Sequence, residues 1–140
     1  MLITNLQNKL IISIKKEMMK PLKKAEWILR IGIAGEFLGH GVFALMIKKS
    51  WIPYFVSVGI PESSATILLP MIGLMDITIA FIVLINPLRA VLAFAAFWGF
   101  LTALIRPVSG ESIWDFIERF ANWAAPLALL YIREIKKDKK

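Results

Sequence analysis

Residues Arg30–Ile47 read RIGIAGEFLGHGVFALMI. The run is apolar over a length close to one bilayer crossing, which takes about 20 residues of helix. Yet it contains Glu36 and the chain's only histidine, His40, one helical turn apart. A charge at the bilayer centre costs at least ~2.5–3.5 kcal/mol on insertion scales, so it persists by pairing or because it performs a function. Which of the two applies depends on what the rest of the 140-residue chain places beside the pair.

Hydrophobic residues make up 58% of the chain and the mean hydropathy is +0.68; soluble domains are roughly 45–50% apolar even counting glycine. The sequence predicts an all-α integral membrane protein, a bundle of four transmembrane helices. Spans are expected at about 27–47, 66–85, 89–105 and 113–132. Breakers fall between them: Pro53 and GIPESSAT (59–66), NPLR (86–89), and RPVSGES (106–112). The second connection is short enough to make the second and third helices an antiparallel hairpin. Ser112 with Asp115 has capping-box spacing ahead of the fourth helix, and Ser63 or Ser64 is placed to cap the second.

Six lysines from Lys9 to Lys24 precede the first span, and Arg133, Lys136, Lys137, Lys139 and Lys140 follow the last. The positive-inside rule then puts both termini in the cytoplasm, as an even number of spans requires. Lys48 and Lys49 fall on the other side, where they could snorkel at the outer interface. The net charge of +7 sits in the flanks of a membrane domain, which points to anionic lipid and not to nucleic acid. Residues 1–25 form a basic, partly amphipathic cytoplasmic segment that could lie along the inner interface as a short helix. Residues 26–133 are the membrane domain and residues 134–140 a basic cytoplasmic tail. The apolar core LIISI (10–14) is too short for a signal-peptide h-region and no small-residue cleavage site follows, so the segment is expected to stay attached. The chain has no cysteine, which rules out disulfides, thiol relays and cysteine-held iron–sulfur clusters.

Depth along each span locates the ionisable residues. Glu36 and Asp76 come out ~15 Å from the outer ends of their helices, near the midplane, and His40 and Glu118 roughly 8–9 Å below the outer boundary. Arg106 closes the third helix and Arg119 adjoins Glu118. At 100° per residue, Gly32, Glu36, Gly39, His40 and Phe43 share an arc of the first helix, Gly73, Asp76 and Ala80 share one of the second, and Glu111, Trp114, Asp115, Glu118, Asn122 and Ala125 share one of the fourth. The glycines predict close helix approach on the same stripe as the charges. Pro126 frees the carbonyl of Asn122 and Pro70 that of Thr66, which is tolerated at membrane depth beside a cavity or within protein. Trp27, Trp51 and Trp114 fall near the expected interfaces, as an aromatic belt; Trp98 and Trp123 are deeper, as core or pocket wall.

With these residues in place, the chain resembles the DoxX/DoxD-like family of small bacterial membrane proteins. The resemblance is carried by RIGIAGEFLGHGVFAL (30–45), by Phe55 with Gly59–Pro61, and by GLMDITIAFIVLINPLRA (73–90), and it covers about Ile28 to Leu130. RPVSGESIWDFIERFANWAAPLALL (106–130) is denser in polar residues than the general family pattern and looks like the mark of one subgroup. The resemblance implies a four-helix bundle of the bacterial inner membrane and an association with membrane redox chemistry, since some members are subunits of a thiosulfate:quinone oxidoreductase. It implies no residue-level catalytic assignment.

Three acids, Glu36, Asp76 and Glu118, face two arginines, Arg106 and Arg119, so at least one acid needs a histidine, a proton or a ligand. The expected site is a polar pocket of Glu36, His40, Asp76, Arg106, Glu118, Arg119 and Asn122 in the outer half of the bundle. It would bind a small molecule, a quinone head group being the one the resemblance implies, alone or within a membrane redox complex. Glu36 and His40 would form a proton-accepting pair, and the arginines would balance charge or bind an anionic group. An alternative is a non-enzymatic assembly or structural subunit whose charges only fix helix packing, as salt-bridged pairs can; another is a small transporter or proton pathway, for which four short helices are few unless the protein forms a homo-oligomer. Whether any reaction is catalysed stays open. Metal binding by Glu36, His40, Asp76 and Glu118 is disfavoured because an ion-pair network uses the same residues, and one histidine cannot give bis-histidine haem ligation.

Overall fold

A computed structural model describes residues 2–138, and the described chain is all-helical. Lys139 and Lys140 of the basic tail lie outside these residues. Six α-helices follow one another: α1 (Leu2–Leu45), α2 (Ile52–Ser57), α3 (Glu62–Ile85), α4 (Arg89–Val108), α5 (Ile113–Ile117) and α6 (Phe120–Asp138), with a 3-10 turn at Lys49–Trp51 before α2. Three of them, α1, α3 and α4, contain stretches long and apolar enough to cross a membrane. Their outward faces are apolar too: Ile67, Met71, Leu74, Phe81 and Ile85 of α3 are each more than half exposed.

Sequence expectations are corrected at the first and the fourth span. The basic N-terminal segment is not a separate short helix; it continues through Pro21 into the first span, giving one helix of 44 residues and ~66 Å at 1.5 Å per residue. The expected fourth span, 113–132, is two helices, because the chain turns at Glu118–Arg119. Backbone bonding tightens there from Glu118 N–H to Trp114 O to the shorter Arg119 N–H to Phe116 O, and Asn122 N–H donates to Arg119 O. The second of these helices, α6, carries Arg133, Glu134, Lys136, Lys137 and Asp138 at its end, so it lacks the uninterrupted apolar length of the other three.

Helix ends follow ordinary chemistry with one exception. Ser112 caps α5 as expected, its side chain accepting from Trp114 N–H. Neither Ser63 nor Ser64 caps α3, which starts one residue earlier at Glu62 after the extended Pro61. At the end of α1, Lys48 N–H reaches Phe43 O and Ile47 N–H reaches Ala44 O, the Schellman arrangement that normally places glycine at the position Ile47 occupies. Ile47 takes φ 51° there, a conformation that β-branched residues rarely adopt.

Helix pairing is set by three glycines. A methyl group on Gly41 of α1 would lie 2.8 Å from the Gly73 carbonyl oxygen of α3, and one on Gly99 of α4 would lie 2.6 Å from the Asn122 carbonyl oxygen of α6. The carbonyl that Pro126 frees is thus covered by α4 at a residue with no side chain. Gly32 and Gly39, on the stripe of α1 expected to pack, have nothing within 4 Å of the place a methyl group would take, and neither has Gly35; for α1 that expectation is overturned. The dominant contacts are α1 with α3 and α4 with α6, joined by α1 with α6, while α3 and α4 touch little despite their short connection. Ile33, Ala34, Phe37, Ile79, Ala80, Val83, Leu92, Ala95 and Leu129 form the core where the pairs meet. Toward the loops the pairs leave space between them.

Candidate functional site

That space is a cavity of about 380 Å³, within the ~300–1,000 Å³ of ordinary small-molecule sites. α1 contributes Phe37 and His40; α3 contributes Leu69, Ile72 and Asp76; α4 contributes its last turns from Trp98 to Val108; and Arg119 and Asn122 come from the turn into α6. The segment between α1 and α3 roofs it with Trp51, Tyr54, Phe55, Val58 and Ile60. The walls are therefore mainly aromatic and aliphatic, with a few converging polar groups.

Asp76 is the polar group at the inner end. It is 4% exposed, and its Oδ1 is buried with no hydrogen-bond partner among the described residues. Nearly all buried polar atoms in folded proteins have partners, and an unsatisfied one costs about 1–3 kcal/mol. His40 also lines the cavity, with Trp51 edge-on to its ring at a centroid distance of 5.7 Å.

The outer end is a charged cluster. Arg106 Nη1 donates to Glu111 Oε2 at 2.9 Å, the Tyr54 hydroxyl donates to Glu111 Oε1 at 2.6 Å, and the Arg106 guanidinium lies 5.5 Å from the Tyr54 ring centroid. Burial and the Glu111 carboxylate push the Tyr54 hydroxyl up to about 12. The same hydrogen bond, with Arg106 nearby, holds Glu111 below the usual carboxylate range. Arg119 Nη1 donates to the Asp115 carbonyl at 3.0 Å and pairs with Glu118.

Of the residues singled out from the sequence, His40, Asp76, Arg106, Arg119 and Asn122 line the cavity, while Glu36 and Glu118 do not. The glycine stripe around Glu36 faces outward, because α1 turns Gly41 to α3 and Ile33, Ala34 and Phe37 to the core. Phe37, about 100° from Glu36 on the wheel, takes the cavity position. Glu36 is half-buried. Glu118 is exposed at the turn, where tightening to i→i−3 bonding breaks the 100° phase that placed it beside Asn122. The roof residues Tyr54 and Phe55 were not assigned to the site from sequence, a tyrosine and two aromatic neighbours beside Pro53 in a loop being their only signal; Glu111, expected on one arc with Glu118 and Asn122, lies ahead of α5 and bonds to Arg106 and Tyr54. Among the described residues, no three histidine, aspartate or glutamate side chains gather closely enough to hold a metal ion.

A second charged cluster lies at the opposite end, near the termini of the packed region. Glu26 is 5% exposed and accepts from Arg133 Nη1 at 3.1 Å and from Lys136, with Arg30 Nη1 3.8 Å away. Arg30 Nε donates to Val83 O at 3.2 Å and its Nη2 to Ile85 O at 2.6 Å and to Leu84 O. It thereby satisfies the last carbonyls of α3 and places a cation at that helix's negative end. The i,i+4 spacing of Glu26 and Arg30 was the visible signal. No protein-family model, curated protein or solved structure matches the chain.

Proposed function

We propose that the chain is a multi-pass protein of a bacterial inner membrane, a four-helix bundle of α1, α3, α4 and α5–α6 with both termini cytoplasmic, that binds a small molecule in the cavity. The observation that carries this reading is the unpartnered Asp76 Oδ1 on the wall of a mainly apolar cavity. A protein using its charges only for packing pairs them, as Glu26, Arg30, Arg133 and Lys136 do at the other end. The basic flanks support the orientation, and the exposed apolar faces of α1, α3 and α4 support the membrane setting. The resemblance to DoxX-like proteins makes a quinone head group the first molecule to try, bound by the protein alone or as a subunit of a membrane redox complex. The cavity residues fit such a ring: Phe37, Tyr54 and Trp98 offer faces for stacking, and Arg106 and Arg119 offer donors to a carbonyl oxygen.

Trp51 and Trp98 line the cavity, so their fluorescence reports occupancy. Titrating the purified protein in mild detergent with decyl-ubiquinone is expected to quench it saturably, with the response diminished in Trp98→Phe. A stably folded protein that shows no saturable quenching would leave the structural-subunit reading in its place.

A further inference from the structure

We propose that the cavity favours a ligand bound as an anion: a planar ring compound that is a weak acid, ionised when bound, with its negative charge held by Arg106 and Arg119. This rests on the small-molecule reading above and names a chemical class within it. A hydroxyquinone is the form nearest to the neutral quinone proposed there, whose carbonyl oxygens use the same donors without the gain from charge.

The charge of the lining carries the inference. Its ionisable side chains are His40, Tyr54, Asp76, Arg106 and Arg119. Arginine is not deprotonated in proteins, so two positive charges are fixed there. Tyr54 keeps its proton and is neutral. Asp76 sets at most one negative charge against the two positive ones, and none if it holds a proton. The lining is therefore net positive in either state of Asp76, and a proton on His40 only adds to the sum.

The acids that pair with the arginines do not cancel this charge inside the cavity. Glu111 and Glu118 are outside the lining. The side chains of Arg106 and Arg119 are 17% and 25% exposed, whereas those of Glu111 and Glu118 are 36% and 60% exposed. Each pair thus straddles the wall, its cation sheltered and its carboxylate nearer water, where solvent weakens the pairing.

Donors remain free as well. Arg106 commits Nη1 to Glu111, and Arg119 commits Nη1 to the Asp115 carbonyl and to Glu118. On both, Nε and Nη2 have no acceptor among the described residues. That edge of a guanidinium is a planar fork suited to two acceptor oxygens side by side. A hydroxyquinone anion presents such a pair in its oxyanion and the adjoining carbonyl. A cationic ligand would instead face two fixed positive charges at low dielectric. The aromatic and aliphatic remainder of the lining, with Phe37, Trp51, Phe55 and Trp98, suits a flat ring and would be left uncovered by a small inorganic anion.

The test uses the full chain in a non-ionic detergent and two probes of matched size: an alkyl-hydroxynaphthoquinone whose hydroxyl adjoins a ring carbonyl, an anion at neutral pH, and its uncharged methyl ether. Both are read by quenching of tryptophan fluorescence, and the quantity compared is the ratio of their dissociation constants, in which detergent partition cancels between variants. Arg106→Gln and Arg119→Gln each keep an N–H donor and remove the charge. Each is expected to shift the ratio toward the ether by about 10-fold, the usual worth of a hydrogen bond to a charged group. Arg89→Gln removes an exposed arginine outside the lining, paired with Glu134, and is expected to leave the ratio unchanged. Thermal melts identify the folded variants, and either cavity arginine decides the question if the other substitution prevents folding. An unchanged ratio in a folded cavity variant, or an equal shift in Arg89→Gln, overturns the anion while saturable quenching by decyl-ubiquinone keeps the cavity reading. Binding of decyl-ubiquinone without binding of the hydroxy probe overturns it too. If none of the three quinones binds, the cavity reading falls and this inference with it.

Discussion

The two ends of the helix assembly handle charge in opposite ways. Near the termini, Glu26 on α1 meets cations from its own helix and from α6, and Arg30 closes the carbonyl end of α3. Three helices are tied together, and each buried charge has a partner. Near the loops, the charged contacts are mostly local: Arg119 pairs with its neighbour Glu118, and Arg106 with Glu111 five residues away. The buried acid of that half, Asp76, has an unpartnered oxygen, and the roof is entered through a strained Ile47. One end is organised for cohesion, and the other retains unfavourable features that an apolar core of the same size would lack. Such a division is expected where function and stability compete for the same residues.

Substitutions can break that contrast. The largest effect is expected for Glu26→Ala, which strips Arg133 and Lys136 of their carboxylate and leaves Arg30 with carbonyl partners alone; losing one partner of a buried ion cluster costs about 3–5 kcal/mol, read as a lower thermal midpoint or a lower denaturant midpoint in mixed micelles. A loss below ~1 kcal/mol would show that the terminal cluster is not what holds the helices. Asp76→Leu is expected to act in the opposite direction, raising stability by about 1–2 kcal/mol as an unsatisfied carboxylate oxygen disappears, while weakening the quenching by decyl-ubiquinone. A comparable destabilisation would mean that Asp76 is a structural residue after all. Ile47→Gly relieves a left-handed residue at a cost of ~1–2 kcal/mol, partly offset by the greater chain entropy of glycine, so a net gain of roughly 0.5–1 kcal/mol is expected in the same melts.

The smallest effect is a pH dependence. The folded protein holds the Tyr54 proton up to about 12, whereas the ordinary tyrosine value is 10.0. Stability that depends on the buried, protonated Tyr54 and its bond to Glu111 is therefore full below pH 10 and lost as pH rises through 12. Tyr54→Phe should flatten the stability profile over that interval; an unchanged profile would place the proton elsewhere.

Much of this could be read from the residues in order. Helical period and hydropathy located α3 and α4 to within a few residues, because Pro61, Pro87 and the 109–112 turn mark their ends sharply. Asp76 and Arg106 were legible because each sits in a regular helix where depth and phase carry over from residue number. The same arithmetic misplaced Glu118, since one tightened turn shifts phase for everything on its far side. It also misjudged Glu36: a stripe of glycines marks where a helix could approach, and only the packing of Gly41 on Gly73 tells which stripe is used. The roof was hardest, because Trp51, Tyr54 and Phe55 belong to a segment whose position depends on contacts far away in sequence, such as Tyr54 to Glu111.

The glycines also have an evolutionary consequence. At Gly41, Gly73 and Gly99 a single added carbon would sit within 3 Å of a neighbouring backbone oxygen, so descent with this architecture intact leaves those sites no room to drift. Gly32, Gly35 and Gly39 face open space and are free to wander toward alanine, serine or larger residues as far as a single chain is concerned. Relatives collected in future should therefore show two classes of glycine within one helix, and a lineage that fixes Gly35 or Gly39 as firmly as Gly41 would be recording a second constraint from outside the chain.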